Sequence, residues 1–132
     1  MEAKTVINTQ NNYFSQSVLD TAVKKIRTSA TIWKIIGIFQ IVLGVMLIFL
    51  GYGFLTIIMG IWNIVQAGKR RKNADFFQKD HSNIVNHYEA QTVMLVVFAA
   101  LNLIFGCIFG VIGSIYDLSV RGYILSHRKE LN

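Results

Sequence analysis

The chain of 132 residues contains no proline and a single cysteine, Cys107. One cysteine excludes an internal disulfide, and the absence of proline removes the residue that most strongly kinks helices. The sequence also lacks a phosphate loop, a nucleophile elbow, a pair of catalytic carboxylates and a zinc-binding HExxH helix. His81 and His87 fall on poorly matched helix faces. We therefore expect no enzymatic activity, no metal site and no cofactor.

Charge is missing from two long stretches. Residues 35–68 carry no charged side chain, and neither do residues 90–116. As one straight helix, the first stretch would be about 50 Å long. A hydrocarbon core is only about 30 Å thick and is crossed by about 20 residues. Because Gly51 and Gly53 permit a tight reversal in its middle, this stretch is predicted to be a transmembrane helical hairpin.

The second stretch allows either one tilted crossing or two short ones. It extends to about residue 125 if Asp117 pairs with Arg121 one helical turn later. Positive charge favours the cytoplasmic side, and three crossings would place Arg121 and Arg128 outside. We therefore divide the stretch near Gly106 and expect four crossings.

The predicted fold is an all-α membrane protein, a four-helix transmembrane bundle made of two tandem helical hairpins, each preceded by an amphipathic interfacial helix. The predicted segments are a loose polar tail at 1–12, a first unit at 13–72 with crossings 30–50 and 53–67, and a second unit at 73–132 with crossings 88–105 and 107–125 and a basic tail. Both termini are expected on the cytoplasmic side. The inner end of the first unit is marked by four basic residues: Lys69, Arg70, Arg71 and Lys72.

Apolar side chains at helical spacing precede the first crossing. They are Phe14, Val18, Leu19, Ala22, Val23 and Ile26, opposite charged residues. Such a helix can lie on the membrane surface or pack against the protein's other helices. A weaker apolar stripe in residues 73–89 predicts a second helix of this type.

The two units are similar to each other in the order of their parts. Aligning Gln40 with Asn102 also aligns Gly44 with Gly106 and Val23 with Val85. Since each unit has two crossings, the copies would have the same orientation, as parallel repeats do.

One pattern, IWKIIGIFQIVLGVMLIF followed by GIWNIVQAGKRRK, returns in degraded form in the second unit. It resembles small bacterial multi-pass membrane proteins grouped in domain-of-unknown-function families, over roughly residues 30–126. The resemblance implies the bacterial cytoplasmic membrane as the location and brings no catalytic residues.

Five polar residues within the predicted crossings are candidates for function: Gln40, Asn63, Asn102, Asp117 and Arg121. The three amides could line a solute path, but hydrogen bonding between helices is the favoured interpretation. A carboxylate in an apolar segment is a functional candidate by default. Here Asp117 either binds a cation or proton, or pairs with Arg121 to orient the last helix, and we favour the pair.

Glycines form two small-residue faces that let helices approach closely. The first comprises Gly37, Gly44 and Gly51, and the second comprises Gly106, Gly110 and Gly113. The spacing predicts association, either within the chain or between copies.

The net charge of +6 is concentrated beside the apolar runs, which favours anionic lipid headgroups over nucleic acid as the partner of the basic residues. We therefore expect a non-catalytic membrane protein that acts by helix association with itself or with another membrane protein, as an accessory, scaffold or immunity-type subunit. The alternatives are an oligomeric pore of the holin type and a small dimeric transporter.

Overall fold

The computed structural model describes residues 2–105 and 107–131. It is 93% helical, and no strand occurs in these ranges. The helices are α1 Glu2–Met46, α2 Gly53–Lys79, α3 Ile84–Ala90, α4 Thr92–Phe105, α5 Cys107–Ser126 and α6 Arg128–Leu131.

The long helices α1 and α2 form an antiparallel hairpin. Between them lie one 3-10 turn, Ile48–Leu50, and Gly51, whose φ of 79° favours glycine. A β-carbon on Gly37 would lie 2.6 Å from the carbonyl oxygen of Gly60, and one on Gly44 would lie 2.7 Å from that of Gly53. The two backbones therefore touch at two levels, which only residues without side chains permit.

The helices α4 and α5 are also antiparallel, and they pack beside the first hairpin. A β-carbon on Gly110 of α5 would lie 2.8 Å from that of Asn102 on α4. Against α1, the ring of Phe109 stacks on Phe39 with centroids 5.7 Å apart. α4 ends and α5 begins on either side of the predicted division, while Gly106 itself lies outside the described residues. The end of α4 and the start of α5 thus lie at the same end of the molecule as the turn between α1 and α2.

By length and composition, fewer helices than predicted qualify as membrane spans. In the described residues, Asn8–Met46 and Ile108–Ser126 qualify singly, and α3 with α4 makes a third if this pair, bent by 52°, is one span. The structure therefore supports two or three candidate spans. α2 is not among them because its charge-free part ends at Gly68, before the basic residues 69–72.

The first unit differs from the prediction in its continuity. Residues 2–12, expected to be a loose tail, are helical, and α1 continues without a break from them into the apolar segment. No glycine or proline interrupts residues 2–36, so a helix once formed there has nothing to end it. The expected separate interfacial helix is therefore the first half of α1.

The apolar face of this half packs against the protein itself. Val18, Leu19, Ala22, Val23 and Ile26 are buried, together with residues from α2, α3, α5 and α6. Phe14, one turn earlier, is 55% exposed. The amphipathic segment was expected either to lie on the membrane surface or to pack against the protein's other helices, and in the structure it packs against the other helices.

Residues 73–89 are divided between α2, a loop and α3 instead of forming one interfacial helix. In the loop, Asp80 accepts hydrogen bonds from the hydroxyl and the backbone N–H of Ser82, and these bonds hold the pKa of Asp80 below its ordinary value. At the bend between α3 and α4, the hydroxyl of Thr92 donates to the carbonyl oxygens of Tyr88 and Glu89.

Candidate functional site: polar clusters between the helices

The three amides of the predicted crossings meet between α1, α2 and α4. Asn63 Nδ2 donates to Gln40 Oε1 over 2.6 Å and to Asn102 Oδ1 over 3.1 Å. Asn102 Nδ2 donates to the carbonyl oxygen of Phe98 over 3.0 Å. All three side chains are fully buried. We call Gln40, Asn63 and Asn102 the amide cluster.

The amide cluster is nearly satisfied within the protein. In the described part of the chain, Asn63 Oδ1 is the one buried side-chain oxygen or nitrogen atom without a hydrogen-bond partner. The side chain of Asn102 also fills the space that Gly110 leaves on α5. The cluster thus joins α1, α2 and α4 by hydrogen bonds and α5 by close packing.

A second cluster surrounds Asp117 on α5. Arg70 Nη1 lies 2.6 Å from Asp117 Oδ2 and 2.7 Å from Oδ1. Trp33 Nε1 donates to Oδ2 over 2.8 Å, and the hydroxyl of Ser29 donates to Oδ1. Arg70 also donates to that hydroxyl oxygen over 2.9 Å. We call Ser29, Trp33, Arg70 and Asp117 the carboxylate cluster, and it ties α1, α2 and α5 together.

Little solvent reaches the charges of the carboxylate cluster. The side chains of Arg70 and Asp117 are 17% and 9% exposed. The guanidinium of Arg70 also lies 5.2 Å from the ring centroid of Trp33 and 6.0 Å from that of Phe98, within the range of cation–π attraction. A charge pair at this depth is stable only when further hydrogen bonds satisfy the carboxylate, and those from Ser29 and Trp33 do so.

The predicted partner of Asp117 is wrong. Arg121 Nε donates to the hydroxyl of Thr92 over 2.9 Å and so joins α5 to α4, whereas Asp117 pairs with Arg70. The prediction used the rule that residues one turn apart on a helix interact. Asp117 lies on the buried face of α5, toward α1 and α2, so its partner comes from another helix.

The sequence prediction did not include Ser29 and Trp33 and assigned Arg70 only to the basic inner end of the first unit, although helical spacing contains a signal for Arg70. From Asn63 onward, the buried positions of α2 are Asn63, Ala67, Ala74 and Phe77. Arg70 falls between Ala67 and Ala74 at the same spacing of three or four residues, so it shares the buried face. Lys69, Arg71 and Lys72 do not, and all three are exposed.

Most of the predicted glycine faces are used inside the chain. Gly37 and Gly44 contact α2, Gly110 contacts Asn102, and Gly113 contacts the side chains of Trp33 and Ile36. Gly51 forms the turn instead of a packing face. Gly37, Gly44, Gly110 and Gly113 thus hold the protein's own helices together.

No protein-family model matches the chain, and neither a curated protein nor a solved structure matches it. The resemblance drawn from the glycine and aliphatic patterns stays a prediction.

Proposed function

We propose that the chain is an integral membrane protein that crosses the bilayer four times, with both termini on the cytoplasmic side. The support is the distribution of exposed apolar side chains. Among the described residues of α1, α2, α4 and α5, nearly all the large hydrophobic side chains that are exposed lie in residues 35–65 and 93–118. They cover the outside of all four helices at one level, as a lipid-facing belt does.

The contacts of α2 support its place in the membrane despite its short apolar part. Its exposed face carries Phe54, Ile58 and Trp62 at helical spacing, and its opposite face packs against Gly37 and Gly44 of α1. If this half of α1 is in the bilayer, the part of α2 beside it is at the same depth. The exposed apolar positions of α2, from 54 to 65, span about 17 Å. A belt thinner than the hydrocarbon core is accommodated by local thinning of the bilayer and by snorkelling side chains.

We further propose that the protein is a non-catalytic accessory or scaffold subunit. The observation that carries this proposal is the mutual bonding of the polar side chains between the helices. The amides of Gln40, Asn63 and Asn102 bond one another, and Asp117 bonds three side chains of α1 and α2. Groups engaged in this way hold helices in register. The pore and transporter alternatives require the same groups to face a lumen or a solute.

The number of crossings is tested by labelling single cysteines in a variant in which Cys107 is replaced by alanine. The two positions are Phe49→Cys and Ser82→Cys. Phe49 is 94% exposed and lies at the tip of the first hairpin, and Ser82 is exposed in the loop before α3. With four crossings, a membrane-impermeant maleimide labels Phe49→Cys in intact spheroplasts and Ser82→Cys only after permeabilisation. With two crossings (α1 and α5) or three (these and α3–α4), the two positions are on the same side, which would refute the four-crossing arrangement.

The choice between a scaffold and a pore is tested in liposomes filled with a small dye. A closed bundle leaves the vesicles tight even at high protein density, both for the natural chain and for Asp117→Asn. Leakage that rises steeply with protein density, and that changes in Asp117→Asn, would refute the scaffold function and favour an oligomeric pore.

A further inference from the structure

A groove runs along the outside of the bundle between α2 and α4. Towards the hairpin tips it is lined by apolar side chains, and its volume is about 270 Å³. The lining residues are Ile58, Met59, Trp62, Met94, Val97, Phe98 and Leu101. Pockets for small molecules have volumes of about 300–1,000 Å³. This part therefore has room for a segment of one slender chain.

The same groove becomes polar toward the end of the bundle that carries the termini. A cavity of about 250 Å³ shares Trp62, Met94 and Phe98 with the apolar part. Its other lining residues are Gln66, Lys69, Arg70, Asn73, Gln91 and Leu95. Three amide side chains and two cations thus surround one end of an otherwise apolar groove.

The positive charge at the polar end comes from Lys69. Arg70 is neutralised by Asp117 on its other side. Lys69 is exposed and, in residues 2–105 and 107–131, forms no ion pair. The polar end therefore combines one uncompensated positive charge with amide donors, a combination suited to one phosphodiester.

Position and length agree with a lipid of the cytoplasmic leaflet. Residue 69 lies about 17 Å along the axis of α2 from residue 58. Half of a hydrocarbon core is about 15 Å thick. Given the four-crossing arrangement on which this inference depends, the polar end is at the cytoplasmic headgroup level and the apolar end is near the bilayer midplane.

We propose that the groove between α2 and α4 is a binding site for one anionic phospholipid, with its phosphate at Lys69, Gln66, Asn73 and Gln91 and one acyl chain along Met59 and Val97. The lipid covers the apolar strip that α2 and α4 leave open, so it is a structural component of the second hairpin's contact with the first.

The test is native mass spectrometry of the full chain in detergent, titrated with dioleoyl phosphatidylglycerol or dioleoyl phosphatidylcholine. Phosphatidylglycerol is expected to bind at least about fivefold more tightly, the effect of one lysine on an anionic headgroup. Lys69→Gln removes this preference, whereas Lys72→Gln, which changes an exposed lysine outside the groove, preserves it. Equal binding of the two lipids, or an equal effect of the two substitutions, would overturn the site.

The apolar end of the site, which holds the acyl chain, is tested by a second matched pair of substitutions. Val97→Trp fills the apolar end and is expected to weaken both lipids, whereas Val96→Trp, on the exposed face beside it, leaves both unchanged. If sn-glycerol 3-phosphate, which has no acyl chain, competes as well as the lipid, the site binds free phosphate esters and the lipid proposal fails. Lipid selection is measured in detergent and is separate from cysteine labelling, so its loss leaves the four-crossing proposal standing.

Discussion

Removing the negative charge of Asp117 should leave the guanidinium of Arg70 without its ion-pair partner, beside the rings of Trp33 and Phe98. Asp117→Asn keeps the size of the side chain but leaves the guanidinium, 17% exposed, without a counter-ion. Breaking a buried ion pair from one side costs about 3–5 kcal/mol. Arg70 keeps some exposure and its cation–π contacts with Trp33 and Phe98. We therefore expect a loss of about 3 kcal/mol in the free energy of unfolding, at the lower end of that range.

The pair is isolated by a double-mutant cycle with Arg70→Gln. Each single substitution leaves one charge buried, whereas the double variant leaves none, so the double variant should cost little more than either single one. The expected coupling is about 2–3 kcal/mol. The free energy of unfolding is measured by titration with SDS in mixed micelles, followed by tryptophan fluorescence and by resistance to trypsin.

Two controls separate this pair from ordinary surface charge effects. Asp75→Asn breaks the ion pair with Arg27, whose side chains are 63% and 47% exposed, and should cost less than about 1 kcal/mol. Arg121→Gln should add independently to Asp117→Asn, since Arg121 bonds Thr92. Additive effects of Asp117→Asn and Arg70→Gln, or coupling of Asp117 with Arg121 instead, would refute the Asp117–Arg70 pair.

Two further matched pairs of substitutions test the packing of the helices by the same unfolding titration. Gly37→Leu forces side-chain atoms toward the carbonyl of Gly60 and should cost about 1–3 kcal/mol or more, whereas Gly68→Leu, with open space around it, should stay within about 0.5 kcal/mol. Equal effects would contradict the close glycine contact. Phe77→Ala removes a side chain that is 3% exposed and should cost about 3–5 kcal/mol. Phe76→Ala, 53% exposed, should cost far less, and a reversed order would refute the packing of α2.

Local features of the fold were predictable because local chemistry determines them. The reversal at Gly51 follows from a charge-free run too long for one crossing and from a residue that tolerates positive φ. The stripe Val18–Ile26 is buried as its spacing suggests, but the spacing alone does not say against what. A membrane surface and a neighbouring helix can each bury the same apolar stripe, so only the tertiary arrangement decides which of them covers it.

The carboxylate cluster was less predictable because its members come from three helices. Pair rules on one helix find Arg121 for Asp117, and that partner is incorrect. Helical phase identifies Arg70 as the inward-facing basic residue of 69–72, but phase gives no partner on another helix. The partner depends on the register between hairpins, which is a property of the assembled fold.

The selection of one register between the helices is also the best physical explanation for the polar groups buried between them. Between helices in lipid, apolar faces contribute little preference for one alignment, because lipid tails solvate them equally well. The glycine contacts of α1 and α2 recur at seven-residue spacing, so a slip of seven residues would bring Gly37 opposite Gly53 and still permit close approach. That slip moves Gln40 about 10 Å along the axis from Asn63 and would leave both amides buried without each other. The glycines therefore allow contact, and the amide and carboxylate clusters select which contact forms.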